Sequence, residues 1–458
     1  MKTQVLVIGG GPGGYVAAIR LAQLGKQVVL AEKRGQMGGC CLNEGCIPSK
    51  AILESSKHFA LLQGKAQEHG IIVAGATLDF GQLMARKDKV IQTNQKGLDY
   101  LMKKNQIAVL PALARLTGSH SALVGEQAIE FEHCILATGS EPIPLPGFPV
   151  DQQQIMDSTG FLAQTSLPQS LIVLGAGVIG LEMACAFAQL GVEVTVVELG
   201  ETLLPGAEED SQKELLRCLK KKKIKFLFQT RALSAQATGA EVTLALQTPK
   251  GEQTLLAERL LVAVGRRPFA AGLGLEAAGV KQDAKGFVLV NQQGQTNLPH
   301  VYALGDLIGG AMLAHKASEE AVQVAEVLAG KRAALHLPPV PQVVYTAPEV
   351  ASIGPSSQHL QAQGVEFIAG SFPLRPLGRA LASGELDGFA KVLAAPDGRL
   401  LAAHLVGERV TDWISEAALA LTKGLSLQDI EETIHPHPSF AEAFKEAAST
   451  ALGRGHHL

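Results

Sequence analysis

Short apolar runs rich in β-formers alternate along this chain with Ala-, Leu- and Glu-rich stretches of helical length, beginning with Val5-Leu6-Val7-Ile8. That alternation predicts βαβ units and parallel sheets, so the class is α/β. Proline clusters at 141–149 and 337–341 interrupt both periodicities and read as connectors, with a weaker break at 264–268. Lys220-Lys221-Lys222-Lys223 reads as a solvated helix end, and no short repeat indicates a solenoid.

One pattern occurs twice. Residues 5–32, VLVIGGGPGGYVAAIRLAQLGKQVVLAE, and 171–198, LIVLGAGVIGLEMACAFAQLGVEVTVVE, have the same length and order: strand, G-x-G-x-x-G, helix, strand and a closing glutamate. The first glycine of each triplet (Gly9, Gly175) permits a tight turn and the second (Gly11, Gly177) lets a pyrophosphate reach the backbone. The third (Gly14, Gly180) packs helix on strand, and the helix N-terminus offers free N–H donors. Glu32 and Glu198 are placed to accept hydrogen bonds from ribose hydroxyls. A lone glycine triplet is weak evidence, but with strand, helix and acid all in place each copy is read as a dinucleotide site. Two such sites point to hydride passage between a flavin and a nicotinamide.

Composition narrows the class further. The 458 residues suggest about three domains at roughly 150 residues each. A net formal charge of −3 lacks the basic footprint of a nucleic-acid binder, and 47% hydrophobic residues exclude general disorder. No apolar run reaches the ~18 residues of a membrane span, and a strand starts almost at once, so neither a span nor a signal peptide is expected. Six cysteines are too sparse for a secreted disulfide framework, which favours a cytoplasmic chain.

Three of the six, Cys40, Cys41 and Cys46, fall within seven residues of a glycine-flanked polar segment. Structural zinc needs four ligands, and no partner C-x-x-C or H-x₃-H pair stands elsewhere, so no metal is expected. A buried inert thiol suits Cys134, Cys185 and Cys218 and fits this segment poorly.

The chain resembles the FAD-dependent pyridine nucleotide-disulfide oxidoreductases and, within them, the members that oxidise dihydrolipoamide. The resemblance rests on both fingerprints, GGxCLNxGCIPSK at 38–50, LATGS at 136–140, GLE at 180–182, VGRRP at 264–268 and TNLPHVYALGD at 296–306. It continues through LAHKASEE at 313–320, YTAPEVASIG at 345–354 and HPHPSFAE at 435–442, so it spans essentially the whole chain. It implies two Rossmann-like dinucleotide-binding domains plus a C-terminal α+β dimerisation domain. The expected boundaries are 1–143 for FAD binding, 144–266 for NAD binding, 267–337 completing the FAD site and 338–458 for the interface.

By position, the resemblance makes Cys41 the thiol that exchanges with substrate and Cys46 the thiol facing the flavin, joined as a redox-active disulfide. His437 becomes the acid/base and Glu442 its orienting carboxylate, both reaching the site from the other subunit of a homodimer. Lys50 and Glu182 correspond to a pair beside the flavin, and Asp306 to the carboxylate on its ribityl chain. Thr138, Gly139 and Gly265 complete the cofactor-binding set, and the implied partner is the lipoyl domain of an acyltransferase or of a glycine-cleavage carrier protein. A Cys41–Cys46 bridge demands a distorted turn, since a regular helix holds such Cα atoms ~8.6 Å apart against a ~7 Å limit. Gly45 supplies the freedom for it.

The chain departs from the family pattern at Cys40 (usually threonine), Glu44 (usually small and apolar) and Pro436 (usually alanine). Cys40 threatens disulfide scrambling, and an inward Glu44 would raise the thiolate pKa values. His435 is expected to be structural. Among rivals, a glutathione reductase-like enzyme working with NADPH wants arginine after the second strand, where Glu198-Leu199-Gly200-Glu201 offers no cation. A mercuric reductase-like enzyme wants a C-terminal cysteine pair, which the tail lacks. A non-catalytic nicotinamide sensor would not need the cysteine, histidine and glutamate set.

Overall fold

The computed structural model describes residues 1–457. They sort into two compact units, one of residues 1–51, 81–145 and 265–337, the other of 52–80, 146–264 and 338–458. Two unit boundaries, 145/146 and 337/338, fall in the proline clusters.

The first unit is built on a seven-stranded sheet. Ala108–Leu110, Val28–Ala31, Lys2–Ile8 and Gln127–Leu136 lie side by side in parallel, and Val301–Ala303 also pairs parallel with Gln127–Leu136. The sheet continues as the antiparallel ribbon Ser121–Val124 and Ala114–Gly118. Val5 and Val7 pack with Ala17, Ala18 and Leu21 of helix Pro12–Gln23 and Ala321, Val324 and Ala325 of helix Ala314–Leu328. Leu6 and Ile8 join a separate cluster on the opposite face with Ile129, Leu273 and Leu307. Both faces of the opening strand are therefore covered, which is why it is apolar at every position from Val5 to Ile8 instead of alternating.

The second unit holds a five-stranded parallel sheet in the order Lys225–Leu227, Glu193–Val197, Ser170–Leu174, Arg259–Val262, Ile155–Met156. An antiparallel three-stranded meander, residues 231–257, accompanies it. The lysine run lies where helix Glu209–Lys221 ends, with Lys220, Lys221 and Lys223 exposed and suited to the negative helix terminus. The C-terminal part is α+β, an antiparallel sheet ordered Gln342–Val344, Glu349–Ile353, Leu400–Gly407, Phe389–Ala394, Ile368–Pro373. Its core joins Phe372, Val392 and Leu405 to Ile414 of helix Val410–Lys423 and to Phe444 and Ala447 of helix Glu442–Ala451.

Candidate active site

The two glycine triplets fold alike. Gly9 and Gly175 have φ of +105° and +106°, a region closed to most side chains. A Cβ on Gly14 would lie 1.7 Å from the Gly9 carbonyl oxygen, and one on Gly180 would lie 2.1 Å from that of Gly175, so helix and turn meet backbone to backbone. The middle glycines behave differently. Gly177 would meet nothing within 4 Å and Gly11 only Gly39 Cα at 3.7 Å, while both have extended backbones that any residue adopts. Neither packing nor conformation requires glycine there. No side chain caps helix Pro12–Gln23 or helix Val178–Gln189, which leaves first-turn N–H groups available beside these glycines.

The closing glutamates are held identically. Glu32 accepts from Gly10 N–H at 2.7 Å and Arg34 N–H at 2.9 Å, and Glu198 accepts from Ala176 N–H and Gly200 N–H, both at 2.7 Å. Each oxygen keeps lone pairs for further donors, and the two backbone bonds fix where they point.

Cys41 lies in the short helix Gly39–Glu44, while Cys46 opens the next helix, Cys46–Gln63. Gly45, at φ −144° and ψ −109°, breaks the two apart, a distorted turn of the kind a Cys41–Cys46 bridge would need. All three clustered cysteines are half-buried thiols. A hydrogen bond with Cys46, reinforced by burial, pushes the Cys41 thiol well above its ordinary range, with Lys50 opposing. Cys46 stands at the positive end of its helix, which favours negative charge developing on that sulfur.

Cys40 does not face the same partners. Its sulfur lies 3.4 Å from Arg266 Nη2, and burial raises its pKa against the pull of Arg266 and Arg34. Arg266 also donates to Ser140 Oγ and to the Ser140 carbonyl, both at 2.7 Å, and Ser140 donates to Asp306 at 2.5 Å. Arg266 and Ser140 were not among the expected site residues, although they lie within VGRRP and LATGS; periodicity carries no signal for a polar chain joining distant segments. Beside them, Thr138 Oγ1 donates to the Phe269 carbonyl at 2.7 Å, and Gly139 and Gly265 take positive φ.

Glu44 turns toward Arg34, with Nη2 and Oε2 2.8 Å apart. This differs from an inward carboxylate: its charge is paired with an arginine, and while it helps raise the Cys40 thiol it does not figure among the main influences on Cys41. The remaining thiols suit the inert reading, since burial raises Cys134 and Cys185 and pushes Cys218 up to about 12.

The second unit carries the other expected residues. Glu182 is buried on helix Val178–Gln189 and accepts from Tyr345 N–H at 3.0 Å. His437 is 76% exposed, and its Nδ1 is 2.9 Å from Glu442 Oε1. The other oxygen of Glu442 accepts from Ser439 N–H at 2.8 Å. Burial opposes ionisation of Glu442, but the Ser439 N–H and His437 prevail and hold its pKa below the usual range. With Nδ1 facing this carboxylate, Nε2 is the ring nitrogen directed away from it.

The family described as pyridine nucleotide-disulphide oxidoreductase matches residues 3–321, and its dimerisation domain matches residues 340–448. The chain belongs to this family. Among curated relatives, dihydrolipoyl dehydrogenase 1 from mitochondria of Arabidopsis thaliana is 40% identical, covering 100% of this chain and 92% of its own. Dihydrolipoyl dehydrogenase 3 of Pseudomonas aeruginosa is 41% identical, covering 98% of both chains. The crystal structure of LpdA from Mycobacterium tuberculosis superposes with a TM-score of 0.90 at 25% identity, covering 97% of this chain and 99% of the other. No helix among the described residues is long and apolar enough to cross a membrane.

Proposed function

We propose that this family member is a dihydrolipoyl dehydrogenase: a homodimer that oxidises protein-bound dihydrolipoamide to lipoamide and reduces NAD⁺ to NADH. What carries the reading is identity of about 40% along the whole chain to enzymes of that name, joined to a hydrogen-bonded thiol pair just downstream of a dinucleotide fingerprint.

The residues fit both cofactors, because the space before Gly11 and Gly177 would be filled by a Cβ and is lined by uncapped helix N-termini. FAD is assigned to Gly9, Gly11, Gly14, Glu32, Lys50, Thr138, Gly139, Asp306 and Glu182, and NAD to Gly175, Gly177, Gly180, Glu198 and Gly265. Bound there, the flavin supplies a two-electron acceptor for a dithiol and the nicotinamide an acceptor for hydride. Glu198 would repel a 2′-phosphate, which favours NAD over NADP. Domains at 1–143, 144–266, 267–337 and 338–458 remain the working division.

In the half-reaction on sulfur, His437 Nε2 takes the proton of one substrate thiol, and the thiolate attacks Cys41 of the Cys41–Cys46 disulfide. Cys46 leaves as thiolate at its helix N-terminus. The second substrate sulfur then displaces Cys41 from the mixed disulfide, which closes lipoamide and leaves both cysteines reduced. Glu442 keeps His437 in the right tautomer and stabilises its imidazolium. The partner is the lipoyl domain of a 2-oxoacid dehydrogenase acyltransferase or a glycine-cleavage carrier protein, and the compartment is the cytoplasm. Steady-state turnover of dihydrolipoamide, glutathione disulfide and Hg²⁺, each with NAD(H) and NADP(H), tests the assignment; preference for either of the other substrates overturns it.

A further inference from the structure

His437 sits in the segment that joins helix Leu427–Glu432 to helix Glu442–Ala451, and Pro436 and Pro438 flank it. Each proline fixes its own φ and offers no N–H, so the segment has no backbone donor at those positions. It is secured two residues earlier. The side chain of His435 is only 4% exposed, against 76% for His437. Its Nε2 lies 2.8 Å from Glu416 Oε1 of helix Val410–Lys423, a charge contact outside hydrogen-bond geometry. Its Nδ1 lies 3.1 Å from the Thr433 carbonyl oxygen, which also accepts from Lys445 Nζ at 3.0 Å.

Both ring nitrogens of His435 thus face acceptors. A neutral imidazole has one N–H and one lone pair, so it suits one of these oxygens and repels the other; only the imidazolium offers an N–H to the Thr433 carbonyl and positive charge to Glu416. We propose that His435, clamped between Glu416 and the Thr433 carbonyl, is a positioning residue that fixes the loop presenting His437 to substrate. The inference rests on the reading of His437 as the acid/base.

The charged groups that act on His435 are Glu416 from one helix, and Lys445 and Glu442 from the other. Glu416 raises the His435 pKa above the usual histidine range, against burial and Lys445. The sign follows: the clamp is complete below the unfolded value near ~6.5 and is lost as pH rises through the higher folded value. Loop position, and with it lipoamide chemistry, should therefore fade on the alkaline side.

The test uses holoenzyme variants assayed for dihydrolipoamide:NAD⁺ turnover and, in parallel, for NADH:ferricyanide reduction, which needs no thiol deprotonation by His437. His435→Ala should lower kcat for dihydrolipoamide by about ten- to hundredfold with the ferricyanide activity retained. Glu416→Gln should move the alkaline limb of the dihydrolipoamide profile to lower pH by about one unit. The double variant His435→Gln/Glu416→Gln, which substitutes a neutral amide pair, should recover kcat and abolish that limb. Unchanged turnover and pH profile in His435→Ala overturns the proposal. Equal loss of both activities in His435→Ala and Glu416→Gln also overturns it, since the pair then serves folding alone. The rate of diethyl pyrocarbonate modification at His437, read by peptide mass, asks the same question without turnover and should rise in Glu416→Gln; an unchanged rate counts against the clamp. Wild-type enzyme inert toward dihydrolipoamide, or indifferent to His437→Ala, refutes the functional reading instead.

Discussion

Glu44 shows how one side-chain direction decides whether a substitution matters. A free carboxylate ~6 Å from a thiolate would cost roughly 2–3 kcal/mol at an effective dielectric near 20. Here the carboxylate meets the Arg34 guanidinium at 2.8 Å, with both side chains about 30% exposed, so its field at Cys41 is largely neutralised and screened, although Cys40 still feels it. Glu44→Val should therefore shift the pH-rate profile by no more than about a few tenths of a unit. A shift approaching one unit in stopped-flow reduction of the flavin would show that the Arg34 contact does not hold in solution. Cys40 is treated the same way by its neighbours: Arg266, not a second thiol, is the partner its sulfur meets. Serine at 40 can accept from the same guanidinium, so Cys40→Ser should keep lipoamide turnover, while Cys41→Ser and Cys46→Ser each abolish it. An active Cys41→Ser beside a dead Cys40→Ser would move the exchanging thiol by one position.

Among elements, the fingerprint turns separate glycines that hold the protein together from glycines that make room. Gly180→Ala drives a Cβ to within 2.1 Å of the Gly175 carbonyl oxygen and should cost about 1–3 kcal/mol or more in stability. Gly177→Ala meets nothing in the chain and should leave the melting temperature unchanged while weakening NAD⁺ binding by about tenfold, ~1.4 kcal/mol. Calorimetry on both variants, with and without NAD⁺, separates the two; a stability loss in Gly177→Ala would deny that its space belongs to a ligand. These turns were legible in the sequence because glycine spacing, helix and terminal acid are local features, each dictated by backbone sterics within about thirty residues. The broken helix at Gly45 was legible for the same reason. What was not legible is the set of polar links that join separate elements: Arg266 to Ser140 and Cys40, Ser140 to Asp306, and Glu416 to His435. Nothing in hydrophobic periodicity marks which arginine or glutamate of a surface-like pattern will turn inward, so His435 read as merely structural and Arg266 as a motif letter.

For the whole molecule, the division of labour between segments makes the strongest demand. The thiols lie in the first unit, within the residues matched by the oxidoreductase family. His437 and Glu442 lie in the second, within the residues matched by its dimerisation domain. Ile434, three residues before His437, is 93% exposed, and Leu419 and Leu381 in the same domain are 58% and 61% exposed, an apolar display suited to burial against a second copy. A two-fold dimer that completes each site across its interface makes a quantitative prediction. Cys46→Ser and His437→Ala chains should each be inactive alone. In a heterodimer, one site combines both defects, and the other combines the intact cysteines of one chain with the intact histidine of its mate. Heterodimers purified by two affinity tags should therefore recover about half the wild-type turnover, and an unselected equal mixture about a quarter. If each histidine instead served the cysteines of its own chain, every site in the heterodimer would carry one defect, and dihydrolipoamide turnover would stay at the level of the parent variants however the chains were mixed.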